Sequence, residues 1–145
     1  MIRAMAAPVE TLRNVPLFAG FGAKELERLA REFKERTFSE GSSVTREGST
    51  GMGFFVIAEG NAEVQVGGER TGTLGPGDHF GEIALIDDLP RSATITATSD
   101  LRCYGLTSWE FRPFVEEHPQ VAWPLLQTLA RRLRAAQSAS ESVAS

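Results

Sequence analysis

The sequence predicts a mainly β chain with flanking helices: a small sandwich or barrel, opened by an N-terminal helical segment and closed by two C-terminal helices. Three observations carry this. Residues 34–107 consist of short apolar–polar alternations cut by glycine-bearing turns. Apolar residues recur at three- and four-residue steps on both sides of that region. The chain has 145 residues, 41% apolar and 23% charged, which suits a single domain with its own core.

The elements follow in order. In residues 11–33, Leu12, Val15, Leu26, Leu29, Ala30 and Phe33 fall at helical spacing with charged residues between them. Asn14-Val-Pro and Gly20-Phe-Gly22 interrupt this pattern, so two helical pieces with a turn around 17–22 are expected. Segments 54–58, 62–66 and 93–97 read as strands. Ala62, Val64 and Val66 face one way and Glu63 and Gln65 the other, while Ala93, Ile95 and Ala97 alternate with threonines. Turns at Gly41, Gly48, Gly60, Gly67-Gly68 and Gly75-Pro-Gly77 divide the region into about eight strands.

Helical spacing returns after Leu106. Ser108 is the expected N-cap of a helix over 109–117, and His118-Pro119 opens a second. Along it Val121, Leu125, Leu129 and Leu133 repeat every four residues. Pro113 and Pro124 predict a kink or a late start. The small, polar residues 138–145 predict fraying. The expected core is about 11–136, with 137–145 a flexible tail.

The formal net charge of −4 carries no basic footprint for nucleic acid. The one positive cluster, Arg131-Arg132-Leu133-Arg134, is too small to provide it. Cys103 is the only cysteine, so neither an internal disulfide nor a cysteine metal site is expected. No apolar run approaches the ~18 residues of a membrane span, and the N-terminus lacks the apolar stretch of a signal peptide. A soluble cytoplasmic protein is expected. His79 and His118 are the only histidines and form no metal-binding spacing, which counts against a cupin-type metalloenzyme. No serine, nor Cys103, has a recognisable base beside it, so no enzyme activity and no cofactor are expected. His79, beside Gly77-Asp78, reads as a solvated turn residue. Gly75-Pro-Gly-Asp-His-Phe-Gly81 resembles a phosphate loop but lacks the Lys-Ser/Thr ending.

One stretch gathers several features: Phe80-Gly-Glu-Ile-Ala-Leu-Ile-Asp-Asp-Leu-Pro-Arg-Ser-Ala-Thr94. Gly81 removes a side chain where a ligand could approach the backbone. Residues 82–86 could form one helical turn with free N–H groups. Arg91 offers two parallel donors to a phosphate, with Ser92 and Ala93 small beside it. Glu82 cannot bind phosphate, so it would serve a hydroxylated end of the same ligand. A surface Arg91–Glu82 salt bridge, worth ~0–1 kcal/mol, explains the two charges about as well on physical grounds alone.

Phe80-Gly-Glu-Ile-Ala-Leu followed by Pro90-Arg-Ser-Ala-Thr resembles the phosphate-binding cassette of cyclic nucleotide-binding domains, as in catabolite-activator-type regulators, kinase regulatory subunits and gated channels. Asn14-Val-Pro-Leu-Phe, Glu47-Gly48, Phe54-Phe-Val-Ile-Ala-Glu-Gly60, Leu74-Gly-Pro-Gly-Asp78 and Leu129-Ala-Arg-Arg-Leu133 extend the resemblance over about residues 11–136. It implies a β-roll or jelly-roll-like barrel that acts as a reversible sensor or regulatory module. Glu82 would accept the ribose 2′-OH and Arg91 would pair with the cyclic phosphate. Phe80, Gly81, Ile83, Ala84, Ser92 and Ala93 would complete the cradle, with Arg131 or Arg134 stacked over the base. Activator-type relatives carry hydroxyl residues where Ala135, Ala136 and Gln137 stand here. Serine after the arginine is closer to cAMP-preferring members, so cAMP is the expected ligand and cGMP the other candidate. The rival within the same fold is a ligand-free interaction or homodimerisation module acting through 121–133. The output partner is not legible.

Overall fold

The computed structural model describes residues 9–46, 48, 53–87 and 93–144. Two short helical pieces come first: α1 (Val9–Arg13), a 3-10 turn (Pro16–Phe18) and α2 (Ala23–Glu32). Strands β1 (Lys34–Phe38), β2 (Ser43–Thr45), β3 (Gly53–Glu59), β4 (Ala62–Val66), β5 (Glu69–Leu74) and β6 (His79–Phe80) follow. A short helix, α3 (Glu82–Asp87), precedes β7 (Thr94–Ala97) and β8 (Leu101–Thr107). The C-terminal part holds α4 (Ser108–Glu117), a 3-10 turn (Pro119–Val121) and α5 (Ala122–Ala144).

The strands form two four-stranded antiparallel sheets, ordered β1-β8-β3-β6 and β2-β7-β4-β5. The expected β core with flanking helices is the architecture found. Its logic lies in β3, an apolar run buried on both faces. Phe54 and Val56 face the helices, where they meet Leu12, Phe18, Leu29, Phe33 and Phe114. Phe55 and Ile57, one residue out of step, face the second sheet with Ala62, Ile95 and Cys103. Strand alternation therefore lets one segment join both cores. Burial pushes the Cys103 thiol up to about 12, which fits a packing role.

The helical layer is locked by aromatic edges. Phe33 meets Phe18 at 5.9 Å and Phe114 at 5.5 Å between ring centroids, both edge-to-face. His118 lies against Phe21 and Phe114, and its Nε2 is 2.9 Å from Glu32 Oε2. This ties the end of α2 to the joint from which α5 departs.

Three expectations need correction. Thr107, not Ser108, caps α4: its backbone N–H and its hydroxyl both donate to Glu110 Oε1, at 2.9 and 2.7 Å. The late start expected at Pro124 is found: α5 begins at Ala122, after the 3-10 turn. Pro124 falls in its first turn, where its missing N–H has no helical acceptor anyway, while Pro113 sits inside α4 on its exposed side. Helix α5 continues to Ala144 rather than ending in a tail from 137, since no glycine or proline follows Pro124. Finally, Leu133 is 59% exposed although it continues the four-residue repeat from Val121. Each four-residue step overshoots one helical turn by about 40°, so three steps rotate Leu133 about 120° away from Val121. The inward stripe runs Val121, Leu125, Thr128, Leu129 and Arg132.

Gly60 shows how tightly the β3–β4 turn is held. Its φ is +92°, and a Cβ there would lie 2.2 Å from the Asp100 carbonyl oxygen. Gly60→Ala should therefore destabilise the fold by more than ~1 kcal/mol. An unchanged denaturation midpoint in urea would contradict this reading of the turn.

Candidate functional site

The site begins with a turn that is satisfied internally. Gly75 N donates to Asp78 Oδ2 at 2.8 Å, Asp78 N to Gly75 O at 3.0 Å, and Gly77 N to Ile57 O at 2.9 Å. The resemblance of 75–81 to a phosphate loop ends there, because these amides are already occupied. What the turn does is deliver β6 to β3, with Phe80 opposite Phe55 and His79 opposite Val56. The Phe80 ring stacks on Phe55 at 5.3 Å. Gly81, at φ +99°, then swings the chain into α3, which starts at Glu82.

Glu82 is 1% exposed. A charged carboxylate at such depth requires a cation and hydrogen bonds. They come from Arg132 on α5, fifty residues later in the chain. One nitrogen, Nη1, donates to Glu82 Oε1, and Nη2 donates to the His79 carbonyl oxygen at 2.9 Å. The fork thus clamps both ends of the β6–α3 corner. His79 Nδ1 lies 3.1 Å from Glu82 Oε1 without a well-formed hydrogen bond among the described residues. Desolvation pulls the Glu82 carboxyl upward. The opposing effects of His79, the Arg132 charge and a backbone N–H are together larger, and hold it below its usual range. His79 is not the solvated turn residue expected: it is 5% exposed, in β6, with its ring 5.5 Å from that of Phe54.

Beside this clamp lies a cavity of about 630 Å³. Val64 and Val66 of β4, Thr71 to Leu74 of β5, Ile95 of β7 and Thr45 of β2 form its sheet side. His79, Phe80, Gly81, Glu82 and Ala93 form one rim, and Arg132, Ala135 and Ala136 of α5 another. Thr45 Oγ1 donates to the Ala93 carbonyl at 3.3 Å, which holds the chain at the entrance to β7.

The structure brings Phe80, Gly81, Glu82 and Ala93 to one cavity wall. Ile83 and Ala84 lie in α3, next to Glu82. Arg91 and Ser92 lie outside the described residues. Arg131 and Arg134 do not line the cavity. Both are exposed, and Arg131 Nη2 reaches Thr128 Oγ1 at 3.3 Å. Among the described residues, the arginine that lines the cavity is Arg132, which sequence reasoning passed over. A stripe drawn at 3.6 residues per turn from Val121 and Leu125 would have reached it.

Residues 35–118, more than half the chain, match the cyclic nucleotide-binding domain. The chain belongs to that family. It is 33% identical over 130 residues to the cyclic AMP receptor protein of Thermus thermophilus, covering 86% of this chain and 60% of the relative. With the cAMP-dependent protein kinase regulatory subunit of Yarrowia lipolytica it shares 40% identity over 93 residues, 63% of this chain and 25% of that one. The crystal structure of the Thermus thermophilus catabolite activator protein superposes with a TM-score of 0.79 at 30% identity, over 89% of this chain and 63% of that chain. This chain therefore spans only part of the length of each. Among the described residues, no helix is long and apolar enough to cross a membrane.

The depressed Glu82 carboxyl has a sign-definite consequence. Its stabilising effect is fully present above the unfolded carboxyl range, near pH ~4.3, and fades as pH falls through the lower folded value. Glu82→Gln should cost about 1–3 kcal/mol at pH 7, and the gap from the parent should narrow below pH ~4.3. Denaturant midpoints of both proteins between pH 7 and 3 provide the check, and a gap that widens in acid would refute it.

Proposed function

We propose that this domain is a reversible cyclic-nucleotide sensor, not an enzyme, and that it binds 3′,5′-cyclic AMP. The observation that carries the reading is the buried Glu82 carboxylate on the wall of a roughly 630 Å³ cavity roofed by α5. A cyclic mononucleotide presents one free ribose hydroxyl, and a carboxylate is the natural acceptor for it. Arg132 does not exclude that role. A carboxylate accepts about four hydrogen bonds, so Arg132 can hold Glu82 charged and oriented while the sugar binds its remaining lone pairs.

The cyclic phosphate falls to Arg91, with the backbone near Gly81, Ile83 and Ala84 and the small residues Ser92 and Ala93 around it. The identities of the relatives support cAMP: a cyclic AMP receptor protein and a regulatory subunit of a cAMP-dependent kinase. A metalloenzyme finds little support in this cavity. Among its described lining residues there is one imidazole, and its one carboxylate is already paired with a guanidinium.

Output would pass through α5. A ligand that touches both the cassette and Arg132 favours the arrangement in which they are clamped, and ~1–3 kcal/mol of coupling is the usual scale. Arg91→Ala should weaken cAMP binding by ~2–5 kcal/mol, as when a buried anion loses its charged partner. Glu82→Ala should cost ~1.5–3 kcal/mol, the range for a hydrogen bond to a charged group. Calorimetric titration measures both, and full affinity in Arg91→Ala would overturn the site.

A second reading concerns assembly and is compatible with the first. Trp123, Leu126 and Leu133 are 68%, 56% and 59% exposed on α5. With Ala130 they recur at three- and four-residue steps, the seam of a two-helix coiled coil. Two copies of the chain would pair through this face, rather than through Val121 and Leu125, which are buried within the domain. Sedimentation should show a dimer that Leu126→Glu with Leu133→Glu converts to monomer. A monomeric parent at tens of micromolar would remove this reading.

A further inference from the structure

We propose that the base is held in a slot made of absent side chains, so that this site takes 3′,5′-cyclic purine nucleotides of either base with little discrimination. The proposal rests on the cyclic-nucleotide reading above. The sugar end of the cavity is defined by the Glu82–Arg132 pair. One helical turn beyond Arg132, α5 lines the cavity with Ala135 and Ala136, which offer no hydrogen-bonding side chain. On the strand side stands Gly72, the register partner of Val64. Cross-strand partners project to the same face of a sheet. Val64 and Gly72 both line the cavity, so the side chain that Gly72 lacks would have stood inside it. A Cβ built there meets nothing within 4 Å, and its φ is not in the left-handed region. The bulge that leaves Thr71 unpaired adjoins this position, but with φ outside the left-handed region it does not demand a glycine. Glycine weakens a strand interior and commonly marks a place where something approaches the backbone closely.

An account of the polar side chains points the same way. Thr45 is committed to the Ala93 carbonyl and Thr71 to the Val64 carbonyl at 3.4 Å. Glu82 and Arg132 engage each other, with His79 beside them. Thr73 is the register partner of Glu63, so its side chain stands on the opposite face from Val64 and Gly72, and among the described lining residues no uncommitted hydroxyl faces the base. Strong discrimination requires a fixed, buried partner that the wrong ligand would leave unpaired. Here the strand side is open, with Thr71, Gly72 and Thr73 all exposed, and water can satisfy either base edge.

The test is calorimetric titration of the full chain with cAMP and cGMP. The two dissociation constants should agree within about tenfold. Gly72→Val keeps a β-branched residue in a strand, where it is tolerated, and fills the slot. It should weaken both ligands by at least about tenfold and by similar factors. Ala136→Leu should do the same from the helix side. A preference of about a hundredfold or more for one purine, or unchanged affinities in both variants, would overturn the slot while leaving the cyclic-nucleotide reading intact. Binding of neither nucleotide to the parent chain would overturn both.

Discussion

A carboxylate almost wholly removed from water has to be met by a cation, and Glu82 meets Arg132. The rest of the site follows from that requirement. The residue that completes the corner after β6 is supplied by the last helix, so neither can be placed without the other. Because the same guanidinium also holds the His79 carbonyl, the link is to a backbone corner as well as to a side chain. A two-point grip of this kind transmits orientation, which a single surface ion pair does poorly. It ties the cavity roof to the cavity wall.

The framework makes that dependence local. Strand β3 is packed on both faces, and β6 hangs from its edge, so the rim that carries His79 and Phe80 is anchored to deeply buried structure. At the far end of the helical layer, His118 and Glu32 hold the start of α5 against α2. Between these anchors α5 meets the site through Arg132 and two alanines. A helix fixed at its root and clasped by one arginine is suited to report occupancy of a cavity by a change in its own position.

Much of the fold was legible from periodicity. The two-faced strand reads as an unbroken apolar run, the alternating strands as a one-sided pattern, and the glycine turns as boundaries. The departures share one cause: each depended on a neighbour that the local pattern does not name. Thr107 outcompetes Ser108 as a cap because Glu110 lies within its reach. Leu133 turns outward because small angular errors accumulate along a helix. His79 is buried because the turn before it is sewn to β3 through Gly77 and Ile57.

The sequence by itself determined the class of fold, the strand boundaries set by glycine, and the motif in which a glycine precedes Glu82. All of these are short-range, and rest on backbone sterics and alternation. Only the tertiary structure decided which arginine faces Glu82, where the lost side chain of Gly72 leaves room, and which face of α5 is free. Those depend on helix phase and on pairing across fifty residues or more. One residue of slippage turns a helix by about 100°, enough to exchange Arg132 for Arg131, and no local pattern of charge distinguishes the two.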